Sequence, residues 1–255
     1  MYSTDDVGRM MRSLNLKHAS EGLNSLLSRA NDQELSPLQW AGTLLEHELS
    51  SREAHRRETN RKKAGIQVEK RLDEFDYQCQ TTITKRQVTQ LLDFQFVENR
   101  QNLIFIGPPG VGKTHLATGL ALKALERGYR VWFSSALALT EDLEMAEIKG
   151  RLKARIAQLC RYDLIVVDEL GYLPMSRQSN HNLFQLIHAM YEFRSIILTT
   201  NKDFTRWGDF FIDENVAVPI VDRLIHHAQI FMLGGESYRL RQKLGGGSGV
   251  GVGQN

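Results

Sequence analysis

The sequence has few cysteines and no long apolar segment. Only two cysteines, Cys79 and Cys160, occur among its 255 residues, and they lack the spacing of a metal site. This usage excludes a disulfide framework and a zinc site, and it is typical of a reducing compartment. The absence of a run of about 18 apolar residues excludes a transmembrane helix. The first residues also lack the basic-then-apolar pattern of a secretory signal, so we expect a cytoplasmic protein that does not contact a membrane.

The composition is that of a globular protein. Apolar residues make up 42% and charged residues 24% of the chain, which excludes wholesale disorder. At roughly 150 residues per domain, the length favours one α/β domain and a smaller module. We predict a helical domain over 1–68, an α/β domain over 69–244 and a disordered tail over 245–255. That tail holds six of the twenty glycines, which is typical of a linker or a cloning remnant.

The N-terminal domain carries the spacing of amphipathic helices. Leucines recur at helical intervals in its first part: Leu14, Leu23, Leu26 and Leu27. A second helix is predicted to start at Ser36, because Ser36 can cap it, Pro37 suits its first turn and Gln39 completes a capping box. Apolar residues then line one face, and we expect them to be buried: Leu38, Ala41, Leu45 and Leu49. Past Ser50 the apolar face ends while the helical pattern continues, so this part is expected to be exposed or to contact another molecule.

The basic residues are unevenly distributed. The net charge is 32 − 30 = +2, which by itself indicates no partner. Between Arg52 and Arg71, however, eight basic residues face only three acidic ones, a local excess of +5. This segment is a candidate phosphate-binding surface, although a solvated helix face has the same pattern. The candidate contacts within it are Arg56, Arg57, Arg61, Lys62 and Lys63.

From about residue 72 the pattern alternates between strands and helices. Short apolar runs predict strands at 103–106, 130–134, 164–167 and 195–199, and helical segments separate them near 114–127, 137–161 and 180–193. This alternation predicts a parallel sheet with helices on both faces.

A phosphate-binding loop follows the first strand. Residues 107–114, Gly-Pro-Pro-Gly-Val-Gly-Lys-Thr, match G-x-x-x-x-G-K-[ST] between a strand and a helix, the context that this motif requires. The predicted nucleotide contacts are Gly107, Pro108, Pro109, Gly110, Val111, Gly112, Lys113, Thr114 and His115. Lys113 is expected to contact the β- and γ-phosphates of ATP, and the Thr114 hydroxyl to bind Mg²⁺. His115 is interpreted as a residue of the first helical turn, without a role in catalysis.

Polar residues end two further strands. The run 164–169, Leu-Ile-Val-Val-Asp-Glu, ends in two carboxylates, of which Asp168 is suited to Mg²⁺ and Glu169 to activating a water molecule. Asn201 follows the strand at 195–199. If that strand lies between the other two, Asn201 would lie beside the γ-phosphate and could orient the attacking water, but an asparagine that merely forms a turn is equally compatible with the sequence.

These motifs together resemble the IstB family of AAA+ ATPases, which belongs to the initiator and helicase-loader clade and acts in two-component insertion-sequence transposition. The resemblance covers the chain except its first residues and the glycine-rich tail. It is carried by the phosphate loop, by 162–174 (Tyr-Asp-Leu-Ile-Val-Val-Asp-Glu-Leu-Gly-Tyr-Leu-Pro) and by 198–201 (Leu-Thr-Thr-Asn). Two C-terminal motifs discriminate best: 220–227 (Ile-Val-Asp-Arg-Leu-Ile-His-His) and 235–240 (Gly-Glu-Ser-Tyr-Arg-Leu). DnaC-type helicase loaders share much of this pattern.

The resemblance implies roles for particular residues. It implies an AAA+ core with a central parallel sheet, preceded by a small helical domain. Arg223 matches the arginine finger that reaches the nucleotide of a neighbouring subunit, Arg239 matches the sensor 2 arginine and Asn201 matches sensor 1. Phe75 lies in the segment that packs near adenine, although an aromatic contact that joins two domains would look the same.

Two further basic segments are candidates for DNA contact. The first lies where this clade carries helices that face nucleic acid, and it contains Lys149, Arg151, Lys153 and Arg155. The second is the loop after the 164–169 run, which contains Arg177. Neither contains a stacking aromatic, which favours duplex over single-stranded DNA.

The sequence therefore predicts an ATPase that uses ATP and Mg²⁺, forms a homo-oligomer on duplex DNA largely without regard to sequence, and recruits or activates a partner transposase. A DnaC-like replicative helicase loader is the alternative. A small-molecule kinase is disfavoured by the Asp168–Glu169 and Asp222–Arg223 pairs. A scaffold that does not hydrolyse ATP is disfavoured because Lys113, Asp168 and Glu169 are all present.

Overall fold

The computed structural model describes residues 2–78, 80, 82–172, 175–211, 214–238 and 240–241, with the backbone alone at 209 and 214–216. The chain divides into two compact units, Met1–Thr59 and Asn60–Asn255. The predicted tail, 245–255, lies outside the described residues. No helix in the described part of the chain is long and apolar enough to cross a membrane.

The first unit is helical. Helix α1 spans Thr4–Ser13, α2 spans Lys17–Asp32 and α3 begins at Pro37 and ends at Lys63, beyond the unit's limit. A capping box between Ser3 and Asp6 starts α1. The small core is formed by Met11, Ala19, Leu23, Leu26 and Leu44.

Helix α3 starts as predicted but buries a different face. The Ser36 N–H donates to Gln39 Oε1 at 2.9 Å, which closes the predicted capping box with the reciprocal bond from the Gln39 N–H. The expected burial of Leu38, Ala41, Leu45 and Leu49 is wrong: the three leucines are 84%, 52% and 67% exposed in that order, and Ala41 is half-buried. The residues that α3 buries are Leu44 and Glu48, four residues apart and therefore on one side of the helix.

The buried carboxylate of Glu48 is stabilised by hydrogen bonds. Its carboxylate accepts a hydrogen bond from the Ala19 N–H at 2.6 Å and from Arg52 Nε at 2.5 Å. Helix α2 has no side-chain cap of its own at Leu16, so Glu48 satisfies an N–H of its first turn from another helix. Burial by itself raises the pKa of Glu48, but these hydrogen bonds and the Arg52 charge hold the pKa below its ordinary value of 4.5.

The second unit begins within the last turn of α3. Ala64 is fully buried, and its carbonyl accepts a hydrogen bond from the Phe133 N–H at 2.7 Å. Residues 60–68 lie in the second unit, whereas the sequence predicts a domain boundary after residue 68.

The sheet of the second unit is parallel throughout its described residues. The strands β1 (Asn102–Ile106), β2 (Val131–Ser135), β3 (Leu164–Leu170), β4 (Ser195–Thr200) and β5 (Ala228–Met232) lie in the order β2-β3-β4-β1-β5. The four predicted strands are confirmed, and β4 lies between β3 and β1. The fifth strand was not predicted.

Side chains of each central strand alternate between two cores. In β1, Leu103 and Phe105 belong to the core formed with the helix after the phosphate loop, while Ile104 and Ile106 belong to the core on the other face. This alternation follows from the two-residue period of a strand, and it explains why strands buried on both faces read as continuous apolar runs. The α/β architecture expected from the sequence is confirmed.

The helices of this unit surround the sheet as α4 (Lys85–Leu91), α5 (Gln95–Glu98), α6 (Lys113–Glu126), α7 (Ala136–Ile148), α8 (Leu152–Leu159), α9 (Arg177–Met190) and α10 (Glu214–His226). The prediction of a single helical segment over 137–161 is wrong. This stretch forms two helices, α7 and α8, because Gly150 adopts a left-handed conformation with φ of 64° that ends α7.

We predict that Glu48→Ala destabilises the first unit by about 2 kcal/mol, because it leaves a buried N–H of α2 without an acceptor. Glu48→Gln keeps an acceptor but loses the charge, so its effect should be smaller. Because the folded pKa of Glu48 lies below 4.5, its contribution is present above that pH and is lost as the pH falls through the folded pKa.

Hydrogen exchange of the α2 amides in the full-length protein measures this effect at pH 7 and pH 4. Glu46→Gln, an exposed neighbour on α3, is the matched control. Equal α2 protection in Glu48→Ala and Glu46→Gln would contradict the assigned role.

Candidate functional site

The phosphate loop joins β1 to the start of α6. Gly110 and Gly112 have φ of 86° and 95°, which favour glycine because a side chain there meets the backbone. Neighbouring groups also leave no space: a Cβ on Gly110 would lie 2.2 Å from Ser237 Oγ, and one on Gly112 would lie 2.6 Å from the Phe75 ring. The loop leads directly into α6, which begins at Lys113, and the free N–H groups at a helix N-terminus are suited to binding an anion.

Lys113 lies against this loop. Its ammonium group donates to the carbonyls of Gly107 at 2.7 Å and Pro108 at 2.8 Å. A lysine amine in this place provides positive charge where the β- and γ-phosphates of a bound nucleotide are expected.

The carboxylate of Asp168 lies beside the loop at the end of β3. It is only 8% exposed, and it accepts a hydrogen bond from Thr114 Oγ1 at 3.0 Å and another from Thr199 Oγ1. No described residue forms an ion pair with it. A buried carboxylate next to a hydroxyl has the oxygen ligands that Mg²⁺ prefers. Thr114 and Asp168 therefore fit the predicted metal role.

Glu169 and Asn201 reach the same cavity. This cavity has a volume of about 610 Å³, within the range of small-molecule sites. Thr114, Glu169 and Asn201 line it together with Lys113, as expected if β4 is inserted between β1 and β3. Their catalytic roles remain predictions.

Aromatic side chains form another part of the cavity wall. Phe75 packs against Gly112, and its ring lies 4.8 Å from Tyr77 and 5.3 Å from His115 in edge-on arrangements. Phe75, Tyr172 and Tyr238 all line the cavity, so the flat apolar surface that a purine requires is present beside the loop. The packing of Phe75 near adenine stays a prediction.

Several residues of this wall were missed by the sequence analysis. Gln80 is buried, and its Nε2 donates to the Val111 carbonyl in the phosphate loop at 3.0 Å. Gln80 also forms an antiparallel bridge with Gly235. The Tyr238 N–H donates to the Gly110 carbonyl at 3.1 Å. The motif at 235–240 was recognised, but its contact with the loop depends on folding that no local pattern encodes.

Arg223 of the C-terminal motifs lies away from the nucleotide cavity. It donates to the Pro219 carbonyl at 3.0 Å, and its guanidinium lies 5.1 Å from the Phe184 ring and 6.0 Å from the Tyr191 ring. Arg239 lies outside the described residues.

The basic segments are exposed but partly paired. Arg56 and Arg57 each lie within 3.7 Å of Glu53, and Arg61 pairs with Glu69. Residues 62 and 63 end α3, with Lys62 also in contact with other groups.

In the second unit, Lys149, Arg151 and Lys153 lie exposed around the turn between α7 and α8, and Arg177 lies exposed at the start of α9. Arg155 is more constrained than its neighbours. It is held by Asp142 at 2.6 Å and lies over the Trp132 ring.

The sequence profile of the family described as IstB-like ATP binding protein matches residues 9–246. The chain belongs to this family. The IstB-like chain is 39% identical over 234 residues to an insertion sequence IS21 ATP-binding protein from Pseudomonas aeruginosa, which covers 92% of this chain and 88% of the relative. It is 36% identical over 230 residues to an insertion sequence IS5376 ATP-binding protein from Geobacillus stearothermophilus, covering 90% of this chain and 92% of the relative.

Solved structures agree with this assignment at the level of the fold. The IstB-like chain is similar to the DnaC helicase loader, with a TM-score of 0.51 and 23% identity over 65% of this chain and 97% of that chain. It is also similar to AMPPCP-bound DnaA from Aquifex aeolicus, with a TM-score of 0.52 and 20% identity over 69% of this chain and 55% of that chain. The chain thus has the fold of these two proteins and belongs to the IstB-like ATP-binding family.

We predict that Gly112→Ala weakens ATP binding at least about tenfold, because a left-handed alanine costs about 1–2 kcal/mol and the new Cβ displaces Phe75 from the cavity wall. Titration with a fluorescent ATP analogue measures the affinity. Gly42→Ala is the matched control, since nothing lies within 4 Å of its added Cβ. Equal affinities in the two variants would show that the geometry at Gly112 is unimportant for binding.

Proposed function

We propose that this protein hydrolyses ATP and uses the nucleotide cycle to assemble on duplex DNA and to recruit or activate a transposase. The observation that carries this proposal is the convergence of Lys113, Glu169 and Asn201 at one cavity beside the phosphate loop, where Thr114 of the cavity wall donates a hydrogen bond to Asp168. Binding alone requires only the loop, whereas a carboxylate beside it provides a base for hydrolysis.

Each residue has a distinct part in the proposed reaction. Thr114 and Asp168 would hold Mg²⁺, which neutralises developing charge on the phosphates when bound. Glu169 accepts a proton from water as the water oxygen bonds to the γ-phosphorus. The bond from phosphorus to the bridging oxygen breaks, which yields ADP and inorganic phosphate. Asn201 orients the water, and Lys113 stabilises charge on the γ-phosphate.

Assembly is supported by the place of Arg223. Its side chain lies on Phe184 and Tyr191, and it is absent from the wall of its own nucleotide cavity. An arginine that acts on the γ-phosphate from a second copy would make hydrolysis depend on oligomerisation. The C-terminal Arg239 is proposed to act on its own subunit's nucleotide.

DNA binding is proposed from the exposed basic residues, and a transposase partner is proposed from the names of the similar proteins. Exposed basic residues occur in both units, and Lys and Arg contacts to phosphate need no particular base sequence. The relatives named for insertion sequences make a transposase the favoured client over a replicative helicase.

We predict that Glu169→Gln retains ATP binding but lowers hydrolysis by about 10²–10⁴-fold, because the water loses its base while the metal ligands stay in place. The protein should then remain as ATP-bound oligomers on duplex DNA. Phosphate release measures the rate, and light scattering with ATP and either duplex or single-stranded DNA measures assembly.

Glu192→Gln is the matched control for this variant. Glu192 is also a glutamate with a left-handed backbone, φ 63°, but it lies outside the nucleotide cavity. Wild-type turnover by Glu169→Gln would remove Glu169 from the mechanism, and assembly on single-stranded DNA alone would favour the helicase-loader alternative.

Two double variants test the basic segment: Arg56→Gln with Arg57→Gln, and Lys62→Gln with Lys63→Gln. We predict that each double variant binds duplex DNA more weakly and that its affinity depends less steeply on salt concentration. If both residues of a pair contact phosphates, the slope of log affinity against log salt should fall by about 1.8. Arg61 is left unchanged because it pairs with Glu69. Lys85→Gln with Arg86→Gln, an adjacent exposed basic pair at the start of α4, should keep the wild-type slope.

ATP binding should be unaffected in all three double variants. An unchanged salt slope in both α3 variants would contradict DNA contact by this segment. If oligomerisation or transposase recruitment failed at the same time, the segment would be a docking surface for protein.

A further inference from the structure

The two carboxylates at the end of β3 lie in an interrupted part of the sheet. Val167 pairs with Leu198 of β4, but the next pair is Leu170 with Thr200. Two residues of β3, Asp168 and Glu169, therefore stand opposite the single residue Thr199. This arrangement is a β-bulge, which leaves one residue without its ladder partner and redirects side chains.

Glu169 has an unfavourable backbone conformation within the bulge. Its φ is 63°, in the left-handed region that non-glycine residues rarely adopt. Strained residues of this kind persist only where the surroundings hold them, and they concentrate at functional sites. Without the bulge, consecutive side chains on β3 would point to opposite faces of the sheet.

The Thr199 side chain holds the bulge closed. It is fully buried, and its hydroxyl oxygen accepts a hydrogen bond from the Glu169 N–H at 2.9 Å. The same hydroxyl donates its proton to Asp168 Oδ1, the oxygen that also accepts from Thr114 Oγ1 at 3.0 Å. One hydroxyl thus replaces the lost backbone partner of Glu169 and orients the carboxylate of Asp168.

We infer that Thr199 is a positioning residue for ATP hydrolysis: its hydroxyl fixes the Glu169 backbone and the Asp168 carboxylate in the geometry that the reaction requires. This inference rests on the proposed ATPase function. Thr199 does not line the nucleotide cavity, so it acts through its two neighbours. Its hydroxyl is the feature that matters, because valine has the same shape without the hydrogen bonds.

The test compares Thr199→Val, which removes the hydroxyl, with Thr199→Ser, which keeps it. Thr140→Val is the matched control, since it removes another buried threonine hydroxyl, which donates to the Leu137 carbonyl in α7 away from the site. Thr199→Val should lower kcat by about 10²-fold, the effect expected of a misplaced catalytic group. KM for ATP should stay within about threefold of the wild type, because the phosphate loop is unchanged. Thr199→Ser and Thr140→Val should both retain near-normal kcat.

A second measurement does not depend on hydrolysis. The Glu169 N–H should exchange with solvent at least about tenfold faster in Thr199→Val than in the wild type, because it has lost its acceptor. Thr199→Ser should keep the protection, and so should Thr140→Val. If Thr199→Val does not fold, Thr199→Ala provides the comparison with Thr199→Ser.

The outcomes separate this inference from the proposed function. If the wild type does not hydrolyse ATP under any DNA condition, the proposed function fails, and the Glu169 exchange rate still decides whether Thr199 holds the bulge. A wild-type kcat in Thr199→Val, an equal loss of kcat in Thr199→Val and Thr199→Ser, or an unchanged exchange rate of the Glu169 amide in Thr199→Val would overturn the inference.

Discussion

The position of β4 between β1 and β3 is the constraint on which the candidate site depends. Parallel strands end at the same edge of a sheet, and neighbouring strands lie about 4.8 Å apart. The phosphate loop after β1, the carboxylates at the end of β3 and the asparagine after β4 therefore meet within about two strand spacings. A β4 at the edge of the sheet would leave the loop and the carboxylates adjacent but would move Asn201 away from the loop.

The parts of the fold that were predictable are those with local signals. The central strands are apolar runs bounded by glycine or polar residues, and the phosphate loop has its motif between a strand and a helix. The Ser36 cap is likewise local, because its partners are three residues apart. For such features the sequence contains both the residues and their spacing.

The features that could not be predicted depend on contacts between distant segments. Leu44 and Leu45 are equally apolar neighbours, so the pattern of α3 does not tell which face turns inward. The face that is buried contains Glu48, whose carboxylate accepts a hydrogen bond from the Ala19 N–H, 29 residues away along the chain. The β3 bulge is similar: nothing in the order Val-Val-Asp-Glu-Leu reveals that a threonine hydroxyl of β4 would replace a ladder hydrogen bond.

The bridge between Gln80 and Gly235 has a consequence for the order of folding. One wall of the nucleotide cavity combines the segment that precedes the sheet with the segment that follows its last strand. During synthesis the loop and both carboxylates emerge from the ribosome before residue 235 does, so the early chain contains these groups without a complete cavity. Because closing so long a loop is entropically costly, this wall is expected to form late, and tight nucleotide binding then marks a chain whose folding is finished.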